Sequence, residues 1–147
     1  MVKIFDEVYV SSDDDKILAT SKKIGAIPIK RPAELCGETP NIPVYQHALQ
    51  FMDNPEIIVA VQANSPTINK YLIEEVKDLM EYGYKEILTC HQDFSLYGSI
   101  WALRVSKLKN YGDPYKPTPE LLLIDPSIDV HTEEDFIKAE KWLSIHQ

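Results

Sequence analysis

The stretch from Phe5 to Leu35 limits the fold more than any other. Val8, Tyr9 and Val10 form an apolar, β-branched and aromatic run, the composition of a strand buried on both faces. Ser11, Ser12, Asp13, Asp14 and Asp15 stop that run with turn and N-cap chemistry. Ile17, Leu18, Ala19 and Ile24 then recur at near-helical spacing, and Gly25 stands where a helix C-cap is wanted. Ile27 to Ile29 begins another strand, followed by the loop Arg31-Pro32-Ala33-Glu34-Leu35. Strand, helix and strand in this order make a βαβ unit, which predicts parallel pairing.

The same alternation continues. Breakers fill Cys36 to Asn41, and Ile42, Tyr45, Ala48, Leu49 and Met52 return at helical spacing until Asn54-Pro55 ends that helix. Ile57 to Val61 is the strongest strand signal and is expected at the centre of the sheet. It runs into the polar end Gln62-Ala63-Asn64-Ser65-Pro66. Tyr71 to Tyr82 reads as a helix with Leu72, Val76 and Leu79 on one face. Ile87 to Cys90 and Ser99 to Arg104 read as strands joined by a polar loop. Tyr111 to Pro119, with Gly112, Pro114, Pro117 and Pro119, reads as an extended surface loop. Leu121 to Ile124 is a short strand. A final helix is capped by Thr132, opened by Glu133, Glu134 and Asp135, and turned inward on Phe136, Ala139, Glu140 and Leu143, with Trp142 beside them. The expectation is an α/β fold in one domain, 1–147, built on a three-layer, doubly wound and mostly parallel sheet.

Composition removes several classes of function. The chain has 147 residues, enough for one sizeable core. No apolar run approaches the ~20 residues of a membrane span, and no signal-peptide core stands at the N-terminus, so a cytoplasmic protein without membrane contact is expected. Cys36 and Cys90 have neither the spacing of a disulfide framework nor a histidine pair to complete a zinc site. A net charge of −8 argues against a nucleic-acid surface, which needs a basic stripe against the phosphates.

Several stretches together resemble the acylneuraminate cytidylyltransferase family, the synthetases that activate sialic acid or ketodeoxyoctonate with CTP. They are Phe5 to Asp14, Gly25-Ala26, Arg31-Pro32-Ala33-Glu34-Leu35, His47-Ala48-Leu49, Gln62 with Ser65-Pro66, Gly98-Ser99-Ile100, and Ser127-Ile128-Asp129 with Thr132-Glu133-Glu134-Asp135. The order matches over nearly the whole chain, and the R-P-A-E-L loop is the most distinctive stretch. The resemblance implies a nucleotide-diphospho-sugar transferase-like fold. It also implies a reaction in which a sugar hydroxyl attacks the α-phosphate of CTP, with magnesium neutralising charge. On it, Arg31 and Thr39 contact the nucleotide, Gln62 and Ser65 the acidic sugar, and Asp129 acts as the catalytic, magnesium-holding carboxylate.

The departures are as informative. The family's first strand and its basic, glycine-containing loop fall before Met1, so the resemblance leads us to expect no triphosphate cradle here. Unit charges about 4 Å apart interact by about 1 kcal/mol in water and about 4 near a protein surface, so losing several cations weakens the hold on a tetra-anion. The second aspartate of the metal pair is His131, and magnesium prefers oxygen. The long excursion between the strands at Ile87 to Cys90 and Ser99 to Arg104 is reduced to a short loop. Pro40-Asn41-Ile42 replaces small and hydroxyl residues, and Ala63-Asn64 replaces the usual Pro and Thr. The missing strand would lie between Val8–Val10 and Ile57–Val61. Its loss would leave edges to be covered by direct pairing, by a borrowed segment or by a second molecule. A homo-oligomer is therefore expected.

Each candidate also has a structural reading. Asp13 to Asp15 can cap a helix, Arg31 can pair with Glu34, and Gln62 can hold a loop backbone. Asp129 lacks its partner carboxylate. His91 and His131 can be surface residues or neighbours of a site, and His47, in a helix, can pack or cap. The expected function is a cytidylyltransferase-like protein, weak or inactive alone, with magnesium and CTP as cofactors if active and otherwise none. The alternative is a non-catalytic binding or assembly protein that oligomerises or partners a full-length synthetase.

Overall fold

The computed structural model describes residues 3–146. The chain is mixed α/β and divides into two compact units, one of residues 3–55 and 108–117, the other of residues 56–107 and 118–146. Among the described residues no helix is long and apolar enough to cross a membrane.

The first unit holds the βαβ motif. Strand β1 (Tyr9–Ser12) pairs in parallel with β2 (Ile27–Lys30) across helix α1 (Asp15–Lys23). Asp14 caps α1 by accepting hydrogen bonds from the amides of Lys16 at 2.7 Å and Ile17 at 3.1 Å. Gly25 takes φ +91, a left-handed conformation that releases the chain from the helix towards β2. The inward face of α1 is Leu18 and Ser21, while Ile17 and Ile24 are exposed. A single 3-10 turn, Ala33–Leu35, and helix α2 (Asn41–Leu49) follow, and Ile42 and Val44 are the buried side chains of α2.

The second unit is built on a four-stranded sheet in the order β3-β5-β4-β6. These strands are β3 (Ile57–Val61), β4 (Glu86–Cys90), β5 (Leu96–Arg104) and β6 (Leu121–Ile124). The pairings β3–β5 and β4–β5 are antiparallel, and β4–β6 is parallel. The sheet is therefore mixed rather than mostly parallel. The short connection from β4 to β5 allows only antiparallel pairing. Ile57–Val61 forms a strand as expected but lies at the margin of the sheet. The central position goes to β5 and to β4, all of whose residues are buried.

Helix α3 (Lys70–Tyr82) covers one sheet face with Val76 and Met80, which meet Ile87, Ile100 and Ala102 inside a ring that includes Leu72, Leu79, Leu121 and Leu123. The other side-chain alternation buries Leu88, Trp101 and Leu103. Helix α4 (Val105–Lys109) continues directly from β5, where strand periodicity alone does not announce it.

Helix α5 (Glu133–His146) starts with reciprocal capping. Asp135 accepts from the Thr132 amide and hydroxyl at 3.0 and 2.8 Å, and its own amide donates to Thr132 Oγ1 at 3.2 Å. Of the residues expected to face inward, Ala139 is buried and Leu143 half-buried. Phe136 and Glu140 are exposed.

Among the described residues β1 is hydrogen-bonded to β2 alone and β3 to β5 alone. Within its own sheet each therefore has a ladder partner on one side only, among the described residues.

Candidate functional site

Strands β3, β4 and β6 run in one direction, since β3 and β4 both oppose β5 and β6 parallels β4. Their carboxyl ends lie at one end of the sheet, the position at which open α/β sheets bind ligands. Three connections leave from there: 62–69 towards α3, 91–95 towards β5, and 125–132 towards α5.

The first and third connections are tied together. Asn64 Nδ2 donates to Asp129 Oδ1 at 2.5 Å, the Val130 amide donates to the Asn64 carbonyl at 2.8 Å, and the Ile128 amide donates to Thr67 Oγ1 at 2.8 Å. The other oxygen of Asp129, Oδ2, lies 2.8 Å from His131 Nε2 and 4.0 Å from His91 Nε2. An ionised carboxylate only accepts, so at 2.8 Å the His131 ring must carry its proton on Nε2. From the residues alone Asn64 reads as a departure from the resemblance and His91 as a surface residue or a neighbour of a site. Their closeness to Asp129 is set by strands far apart in the chain.

Asp125 is a second carboxylate at this end, and residue spacing did not single it out. It is buried at the end of β6, with Oδ2 accepting from the Ser99 amide at 2.6 Å and Oδ1 from the Ser127 amide at 2.9 Å. Burial alone would raise its pKa. The hydrogen bonds from Ser99 and Ser127 stabilise the anion more, so the carboxyl titrates below its ordinary value. The available signal was the Asp-Pro step closing an apolar strand.

Between these groups β5 departs from regular pairing. Leu88 faces Trp101 while Cys90 faces Leu96, so Tyr97 to Ile100 bulge against the single residue Thr89. Thr89 Oγ1 repairs the ladder by accepting from the Ile100 amide at 2.9 Å and donating to the Ile100 carbonyl at 3.1 Å. Tyr97 (φ +68), the first bulged residue, and Phe94 (φ +65), in the loop before it, both take left-handed backbone conformations.

The remaining sequence candidates fall as follows. Gln62 lies at the end of β3, where its amide donates to the Ser99 carbonyl and its carbonyl accepts from the Ser65 amide. Ser65 is buried and accepts from the Ile68 amide, so it shapes the turn into α3. Arg31 and Thr39 belong to the first unit. The half-buried Arg31 guanidinium binds the Ser11 carbonyl at 2.7 Å and its Nε reaches Ser11 Oγ at 3.1 Å, so its partner is β1 rather than Glu34. Thr39 Oγ1 is 3.1 Å from the carbonyls of both Glu34 and Cys36 and closes the R-P-A-E-L loop.

Magnesium, implied at Asp129 by the resemblance, does not fit the residues present. It demands several oxygen ligands in near-octahedral array. Here one carboxylate oxygen is engaged by an amide and the other by an imidazole N–H, and the second carboxylate position is an imidazole. What the cluster offers a ligand is hydrogen bonding: imidazoles and a carboxylate at one margin, able to meet hydroxyl or carboxylate oxygens.

Comparison with known protein families and with curated proteins finds no match to this chain.

Proposed function

We propose that this chain is a cytidylyltransferase-like domain of nucleotide-diphospho-sugar transferase type, related to proteins that activate acidic sugars with CTP. By itself it binds such ligands rather than turning them over efficiently. The observation that carries the reading is the meeting of matched residues: Gln62 and Ser65 after β3 and Asp129 after β6 lie at the carboxyl ends of those strands, joined by a hydrogen bond between Asp129 and Asn64, itself a departure from the resemblance. The ligands are an acidic sugar at the Gln62, Ser65 and Asp129 margin and CTP through Arg31 and Thr39. Nucleic acid and membrane are not partners on this reading. A cytoplasmic location belongs to it, because CTP is used there. Weak turnover is expected because the donor set at Asp129 suits hydrogen bonding better than a hard cation.

Calorimetric titration tests the binding, with CTP, sialic acid and ketodeoxyoctonate as separate ligands, and pyrophosphate release tests the turnover. The expected result is measurable heat with the sugar acid, weakened about tenfold in Gln62→Ala, which corresponds to about 1.4 kcal/mol. Silence at millimolar concentrations of every ligand would overturn the binding reading. Turnover at an ordinary enzyme's rate, of the order of 10 per second, would overturn the weak-activity reading.

A second reading, a non-catalytic assembly protein acting as a homo-oligomer, is favoured by two features. Among the described residues β1 and β3 each have a ladder partner on one side only, and α5 exposes Phe136, Ile137 and Ile145. Sedimentation at micromolar concentration tests it. A species of 16.8 kDa alone would count against self-association.

A further inference from the structure

We infer that the Asn64–Asp129–His131 cluster is a metal-independent clasp that ties the β6–α5 connection to the β3–α3 turn, at the position where the resemblance would put a catalytic magnesium. This concerns the chain's own hydrogen bonds and stands whether or not CTP binds. The clasp has three strands of contact. Asn64 Nδ2 reaches Asp129 Oδ1, the Val130 amide returns to the Asn64 carbonyl, and the Ile128 amide is held by the buried Thr67 hydroxyl. His131 then satisfies Asp129 Oδ2 through Nε2, and the next residue, Thr132, caps α5. A cation at Asp129 would compete with the Asn64 amide and the His131 N–H for the carboxylate's lone pairs, and would gain a single carboxylate in return. The residue types follow the same logic: Asn and His each bring an N–H that a carboxylate can accept, where two carboxylates facing one another would repel without a cation between them.

The test uses the whole chain and four variants, Asn64→Ala, Asp129→Ala, Asp129→Asn and His131→Ala, with thermal midpoints read without added metal and with magnesium, manganese or zinc. A clasp predicts that Asn64→Ala and Asp129→Ala each lower the midpoint by several degrees and that their effects are not additive, because one hydrogen bond is removed twice. Asp129→Asn keeps an oxygen facing Asn64 Nδ2 and stays closer to the wild type. None of the proteins shifts with metal. A ligand present at about a hundred times its dissociation constant raises a midpoint by several degrees, so a magnesium site would be visible. A magnesium-dependent rise in the wild type that disappears in Asp129→Asn would overturn the inference. So would a zinc- or manganese-dependent rise that disappears in His131→Ala. Unchanged midpoints in both Asn64→Ala and Asp129→Ala would overturn it as well. The CTP and sugar titrations are separate measurements, so either proposal can fail without the other.

Discussion

Lys107 Nζ lies 2.5 Å from Oε2 of Glu86, whose side chain has no exposed surface at all. The other oxygen of Glu86 accepts from Trp101 Nε1 at 3.0 Å, and Thr118 Oγ1 lies 3.3 Å from Oε2. Lys107 also donates to the Thr118 carbonyl at 2.9 Å. A charge at the start of the most deeply buried strand is tolerated because every side of it is answered.

Removing one partner of that pair should therefore cost far more than the pair itself is worth. Lys107→Met leaves the Glu86 carboxylate buried without its counter-charge, and such losses run to about 3–5 kcal/mol. The double replacement Lys107→Met with Glu86→Leu should recover much of that loss. Urea denaturation followed by Trp101 fluorescence measures both. A loss below about 1 kcal/mol in Lys107→Met would mean the pair behaves like an exposed ion pair.

Gly98 has no room for a side chain. A Cβ there would stand 2.5 Å from Thr89 Oγ1 and 3.0 Å from the Thr89 carbonyl carbon, and the hydroxyl cannot withdraw without breaking its bonds to Ile100. Gly98→Ala should destabilise by about 1–3 kcal/mol, the usual range for overpacking a core. Combined with Thr89→Ala, the loss should fall short of the sum of the two single losses, as expected for residues in contact. Thermal midpoints of the two single variants and the double variant decide it. Strict additivity would show that the bulge has moved away from Thr89.

Asp125 makes stability depend on acid. Its folded pKa is depressed, because hydrogen bonds from Ser99 and Ser127 outweigh burial, whereas an unfolded aspartate titrates near about 3.9. Its contribution is fully present above the unfolded value and is lost as pH falls from there through the folded value. Asp125→Asn places an NH2 group against one backbone N–H, so about 1–3 kcal/mol should be lost at neutral pH. The gap from the wild type should narrow below about pH 4, as first the unfolded aspartate and then, at lower pH, the folded carboxyl takes up a proton. Denaturation curves collected down to about pH 2 would show it, and a gap that does not change with pH would refute it.

The Asp14 cap of α1 accepts from two amides at an exposed position. Asp14→Ala should cost about 1 kcal/mol and Asp14→Asn a fraction of that, since the amide oxygen can still accept. Circular dichroism melts would compare them. Equal losses in both variants would point to charge rather than hydrogen bonding.

Most of the elements were legible in the residues themselves. Ile57–Val61 and Leu121–Ile124 have the expected bounds, α1 starts after Asp14, and Thr132 caps α5, because caps and side-chain periods are settled within a few neighbouring residues. Sheet order was not legible. Val-rich β3 is marginal because β5 folds back between it and β4, and strand composition carries no term for which partner arrives. The candidate residues divide in the same way. Asp129 is recognisable from the stretch around it, but Asn64 and His91 reach it only through the parallel course of β3, β4 and β6. Local chemistry chose the elements, and the burial of α3 and the sheet against one another chose which polar ends would meet.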